Sequence, residues 1–211
     1  MNDWFADQTG GRSFVLDTYQ GRLDITYMPI PLTEQGLLDY TYKTYYGQYN
    51  KGFSESNYLS YALEDFVYHA NLPIFKQEKL YLAYFEISKA YTCGEYGSTR
   101  SAHVAVVYPS AFSLRDQINC SIYSNEVGDN TRGIWENILA HEVIHSLGFV
   151  EYGCALNGTP DHHVEDPETP DDIMGIGMYS DNPVLDPNHN DYYEKHRPYC
   201  ADLADSPYLY P

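Results

Sequence analysis

The sequence predicts a single α+β domain, on three observations. Helical stretches and β-rich runs occupy separate segments; a last helix leads into a long tail of loop composition; and no shift in composition marks a second domain within 211 residues. The expected domain is 1–211, with a sheet-containing part over about 12–148 and a loop-rich C-terminal part over about 149–211.

The elements follow in chain order. After a polar leader, RSFVLDTYQGRLDITYMPIP holds two β-rich runs around a Tyr-Gln-Gly-Arg turn and ends at prolines that cannot continue a ladder, so a strand or hairpin is expected. From Thr33 to Leu72 the pattern is helical in two pieces, broken near Asn50 to Phe53, with Leu59, Leu63, Phe66 and Val67 at helical spacing in the second. KLYLAYFEI (79–87) and HVAVVY (103–108) read as sheet strands, joined by a glycine-containing connection that includes Cys93. Asn130 or Thr131 can cap a helix that runs through TRGIWENILAHEVIHSL and stops at Gly148. Its apolar face is expected to be Ile134, Ile138, Leu139, Val143 and Leu147. Beyond it lie eight prolines and many Asp, Asn and Gly, with at most a short helix near Asp191 to His196.

Twelve Lys and Arg against 30 Asp and Glu give a formal charge of -18, which repels phosphate backbones and anionic headgroups. Nucleic acid and membrane are therefore not expected partners, and no apolar run approaches the roughly 18 to 20 residues of a membrane span. Cys93, Cys120, Cys154 and Cys200 are widely spaced with no CxxC pair, which favours disulfides over a thiolate metal site and a secreted, extracellular chain over a cytosolic one. The N-terminus lacks a basic start followed by an apolar run, so no signal peptide is expected in this form of the sequence.

The chemistry concentrates in HEVIHSLG (141–148). Histidines at i and i+4 project from one side of a helix, so His141 and His145 can direct ring nitrogens at one ion. Glu142 lies roughly 100 degrees around the helix from His141, within reach of a water on that ion without entering its coordination shell. Zinc lowers the pKa of such a water toward roughly 7, and a carboxylate beside it is placed to act as general base. With eight histidines in the chain HExxH can arise by chance, but its place inside a helix that follows two strands and closes on a glycine favours a zinc site.

A catalytic zinc needs a third protein ligand. Glu151 stands where HExxHxxGxxH has its last histidine; Glu165 and Glu168 lie downstream, though the prolines of HVEDPETPDD oppose a ligand-bearing helix; and His162 and His163 form a pair on a loop near Cys154. Asp186, Asn188, Asn190 and Asp191 make an oxygen-rich run that could hold calcium, but it lacks the glycine and glutamate of an EF-hand loop and reads better as a turn rich in Asx residues. His69, His103, His189 and His196 show no ligand spacing and are expected to be structural or surface histidines.

HEVIHSLG, Cys154-Ala155, HHVED (162–166), DDIMG (171–175), LDP (185–187), DYY (191–193), Cys200 and SPYL (206–209) together resemble the metzincin clan of zinc metalloproteases. The likeness is greatest to a group of secreted bacterial and plant proteins with zinc peptidase domains, and LDTYQGRLDITYM and the TCG at 92–94 extend it over most of the chain. The resemblance implies a mixed twisted sheet, a backing helix and an active-site helix, and zinc-dependent hydrolysis of protein or peptide substrates by a monomer. In that group the position of Glu151 is commonly proline, so the resemblance moves the third ligand to His163, with His162 and Glu151 as alternatives and Asp166 ordering the loop. Met174 is implied as the methionine beneath the metal. Gly175 departs from the tyrosine common there, leaving a tyrosine role unassigned among Tyr179, Tyr192 and Tyr193. Sequential pairing, Cys93 with Cys120 and Cys154 with Cys200, is the expected choice among three possible connectivities. Two other readings stand beside the peptidase: a secreted zinc-binding domain without catalysis, and a zinc amidohydrolase of a non-peptide substrate.

Overall fold

The structure is a computed structural model that describes residues 1–25, 27, 29–46, 59–69, 79–90, 92–97, 103–113, 117–121, 134–150, 154, 167–175, 180 and 182–211. The fold is α+β, as expected, with several short sheets and few helices.

The N-terminal segment differs from expectation. MNDWFADQTGG looks polar, yet it forms helix α1 (Asn2–Gln8) with Trp4 and Phe5 buried. The cause is long-range: Phe5 packs edge-on against Phe14, and the Trp4 indole N–H donates to the Pro183 carbonyl at 3.0 Å. Strand β1 (Ser13–Phe14) then leads to the expected hairpin, β2 (Thr18–Tyr19) and β3 (Arg22–Leu23), paired antiparallel around Gln20 and Gly21. Both turn residues have positive φ, 53° and 74°, the conformation that lets a two-residue turn follow the strand twist.

Helix α2 (Glu34–Thr41) begins where the Thr33 hydroxyl accepts the Gly36 N–H and runs on into a π-helical turn, Tyr42–Tyr46. Helix α3 (Leu59–His69) packs against it, with the Tyr40 hydroxyl donating to Asp65 at 2.8 Å. The break expected near Asn50 to Phe53 lies outside the described residues.

Strands β4 (Leu80–Tyr84), β5 (Lys89–Ala90), β6 (Gly94–Gly97), β7 (His103–Val107), β8 (Phe112–Ser113) and β9 (Ile118–Asn119) form two three-stranded mixed sheets, ordered β4-β7-β6 and β5-β8-β9. The connection carrying Cys93 is thus itself part of the sheet: β6 pairs antiparallel with β7, Gly94 opposite Val107 and Tyr96 opposite Ala105. Short and flanked by glycines, GEYG carries too little β-propensity to stand out in sequence. The Cys93–Cys120 disulfide joins the two sheets.

Helix α4 (Ile134–Ser146) carries HExxH, and its cap at Asn130 or Thr131 lies outside the described residues. The expected apolar face is too narrow a description, since residues 137 through 146 are all buried, polar ones included. Gly94 and Tyr96 face α4 and the intervening Glu95 reaches α3, so alternation along β6 puts the two helices on opposite faces of the sheet. That explains why Val104 through Val107 on the central strand are all fully buried. Gly148, at φ 78° with its N–H bonded to the His145 carbonyl, ends the helix as expected.

The tail holds no helix at Asp191 to His196. The N–H groups a helix would use are taken by carboxylates: Asp186 accepts from Asn190 through Tyr193, and Asp202 from Glu194 and His196. A 3-10 turn (Leu203–Asp205) and strand β10 (Leu209–Tyr210) follow, and β10 pairs with β1. The second disulfide is Cys154–Cys200, so the pairing is the sequential one. Among the described residues, no helix is long and apolar enough to cross a membrane.

Candidate metal and catalytic site

Helix α4 brings the expected residues together in a buried setting. His141, Glu142 and His145 are 2%, 7% and 8% exposed. The imidazoles of His141 and His145 meet edge to face with centroids 4.5 Å apart. Nδ1–H of His141 donates to the Ile173 carbonyl at 2.7 Å, which fixes its tautomer and leaves Nε2 as the nitrogen with a lone pair. A ring so oriented suits a metal ligand, since ligating histidines commonly donate their other N–H to a carbonyl or carboxylate.

Two residues of β6, unanticipated as site residues, shape this setting. The Tyr96 ring stacks on His145 with centroids 5.0 Å apart and planes 19° from parallel. Gly94 lies so close to the helix that a Cβ there would sit 2.6 Å from Ile138 Cγ2 and 3.0 Å from Glu142 Oε1. The TCG at 92–94 marks the place in sequence, but the contact exists only because β6 pairs with β7.

On the other face of β6, Glu95 Oε2 accepts the Ser60 N–H at 3.1 Å and the Tyr108 hydroxyl at 3.2 Å, while Oε1 is sealed from solvent with no hydrogen-bond partner. Burial outweighs those two bonds and pushes the Glu95 carboxyl up to about 8.

Met174 is fully buried in the turn whose Ile173 carbonyl holds His141, and its N–H donates to Asp172 at 2.8 Å. The third-ligand candidates Glu151, His162 and His163 lie outside the described residues, as do Glu165, Asp166 and Tyr179; Glu168 is exposed. Tyr192 bonds within the tail, its hydroxyl donating to Asp172 at 2.7 Å and accepting the Asp186 N–H at 2.9 Å. His103 bonds the Ser146 carbonyl, and His189 and His196 pair at the surface with Glu194 and Asp202. The His69 side chain lies outside the described part. A cavity of about 400 Å³ opens beside His103, Leu147, Phe149 and Tyr208, but none of the HExxH residues lines it.

The chain matches no protein-family model, no curated protein and no solved structure.

Proposed function

We propose that the protein is an exported zinc-dependent endopeptidase with a metzincin-like fold, and that His141, His145 and His163 hold the metal. The observation that carries this reading is the paired, buried imidazoles of His141 and His145, with Glu142 beside them and the first ring oriented by the Ile173 carbonyl. Zinc, when bound, supplies Lewis acidity that polarises a carbonyl and makes water acidic. The chain's own groups do the rest. Glu142 takes the proton from the attacking water and returns it to the leaving amine. Met174 forms the apolar floor. Among the described residues β6 pairs only with β7, and its Gly94 and Tyr96 pack against Glu142 and His145. An extended peptide added to the outer side of β6 would run past those residues, which favours a peptide over a compact non-peptide amide. Two disulfides suit an oxidising compartment.

The test is Glu142→Gln assayed on a quenched peptide library alongside zinc content. Zinc should remain bound while hydrolysis falls by about 10²–10⁴-fold or more. Equal hydrolysis in both forms removes Glu142 as the general base, and none in either form removes the peptidase reading and leaves a zinc-binding domain or an amidohydrolase of a non-peptide substrate. Zinc content of alanine variants at Glu151, His162 and His163 tests the ligand set, and full occupancy in His163→Ala sinks that assignment.

A further inference from the structure

Away from the histidines, the Met174 turn and the C-terminal loop bring three carboxylates together. Asp172 comes from the turn, and Asp186 and Asp191 from the loop; one oxygen of each lies within 4.8 Å of the others. The residues are 2%, 0% and 2% exposed, so water does little to separate their charges. Among the described residues this is the one group of three or more metal-capable side chains that converges so closely.

The three are not equally compensated. Asp186 accepts N–H groups from Asn190, Asp191, Tyr192 and Tyr193, the last two at 2.7 Å, so backbone donors surround its carboxylate. Asp172 has a different balance. Its Oδ1 accepts the Tyr192 hydroxyl and the Met174 N–H, but its Oδ2 is sealed from water with no hydrogen-bond partner. A buried carboxylate oxygen without a hydrogen bond is costly. On the same loop, Asn190 Oδ1 is also buried without a partner. The cation nearest in sequence, Lys195, makes no hydrogen bond through Nζ, and burial lowers its pKa, although Asp202, Asp186 and Asp191 oppose that.

The geometry points to a binding site for a calcium-class divalent cation formed by Asp172, Asp186 and Asp191, with Asp172 Oδ2 as a ligand. Calcium takes oxygen ligands at roughly 2.3–2.6 Å in irregular arrangements, so oxygens on opposite sides of one ion stand at most roughly 5 Å apart. Carboxylates within 4.8 Å of one another can share it. Magnesium demands a tighter, near-octahedral shell and sheds water reluctantly, so two chain segments converging irregularly suit it poorly. Burial, then the neighbouring aspartates, push the Asp172 carboxyl up to about 7 against its hydrogen bonds, and a cation would reverse that. Since Ile173 adjoins Asp172 and its carbonyl holds His141, the ion would also brace the turn that orients that ring.

The experiment titrates CaCl₂ into the full chain, cleared of calcium on a chelating resin and kept at equimolar zinc, by calorimetry and thermal unfolding. Wild type should take up a single ion with Kd of about 10⁻³ M or tighter, with a rise in Tm that magnesium at the same concentration does not reproduce. Asp172→Asn and Asp191→Asn should each weaken uptake at least tenfold. If Asp172→Asn fails to fold by far-UV circular dichroism, Asp191→Asn carries the comparison. No calcium uptake by wild type, or uptake unchanged in the variants, overturns the proposal. A variant that is more stable than wild type with or without calcium, beside a wild type that takes up none, would mean that Asp172 is simply a protonated acid. None of these outcomes depends on whether the chain hydrolyses peptides.

Discussion

Gly94 has almost no room for a side chain. The atom that a Cβ would meet at 2.6 Å is a methyl of Ile138, a β-branched residue with few alternative rotamers inside a helix, so the strand or the helix has to move. Glu142 is the next contact, at 3.0 Å. Gly94→Ala should therefore cost about 1–3 kcal/mol in urea unfolding and, by displacing the carboxylate of Glu142, reduce hydrolysis by more than the lost stability accounts for under conditions where the variant is folded. Wild-type activity in a folded Gly94→Ala variant removes the close packing of β6 on α4 as a requirement. At this scale, sequence and structure divide cleanly. His141, Glu142 and His145 are legible because their geometry follows from helix spacing alone, whereas Gly94, Tyr96 and Asp172 acquire their roles from segments brought together across the chain. The oxygen-rich run at 186–191 was visible, but its partner Asp172 stands apart from it in sequence.

The same rule decides which elements could be read. Hairpin β2-β3, the helices after Thr33, strands β4 and β7 and the stop of α4 at Gly148 each carry a local signal, whether a turn sequence, a cap or a periodic pattern. Helix α1 and strand β6 carry little, because a distant partner stabilises each. The absent helix at 191–196 is the converse case, a local tendency overruled by buried Asp186 and Asp202 collecting the backbone donors. Between β6 and α3 the structure also stores a pH dependence. Burial holds the Glu95 carboxyl at about 8, above its ordinary 4.5. Between those values folded Glu95 keeps a proton that the unfolded chain has released, so stability falls as pH rises through that window and levels off above it. One proton contributes a slope of at most about 1.4 kcal/mol per pH unit. Glu95→Gln keeps acceptors for the Ser60 N–H and the Tyr108 hydroxyl while abolishing the titration. Its urea unfolding free energy should fall less steeply than wild type from pH 5 to 8, and parallel curves rule the mechanism out.

Across the whole molecule, the tail is built into the body at several points. Strand β10 pairs with β1, the Trp4 indole and the Gln8 side chain bond to residues 183 and 185, and Arg12 bonds the Ala204 carbonyl. These contacts hold the last part of the tail, while the Cys154–Cys200 disulfide, spanning 46 positions, closes the segment that contains His162, His163, Met174 and all three aspartates of the proposed cation site. In the chain-entropy account a loop of that length contributes about 4 kcal/mol by constraining the unfolded state. Cys93–Cys120, spanning 27 positions, lies outside that segment and joins the two sheets. Replacing Cys154 and Cys200 together with alanine should lower unfolding free energy by about 2–4 kcal/mol and weaken both zinc and calcium uptake in protein that remains folded. The matched pair at Cys93 and Cys120 should cost comparable stability while leaving calcium uptake near wild type, because no ligand of that site lies within its loop. Equal loss of calcium uptake in both double variants would show that general loosening is responsible, and not release of the loop that carries the ligands.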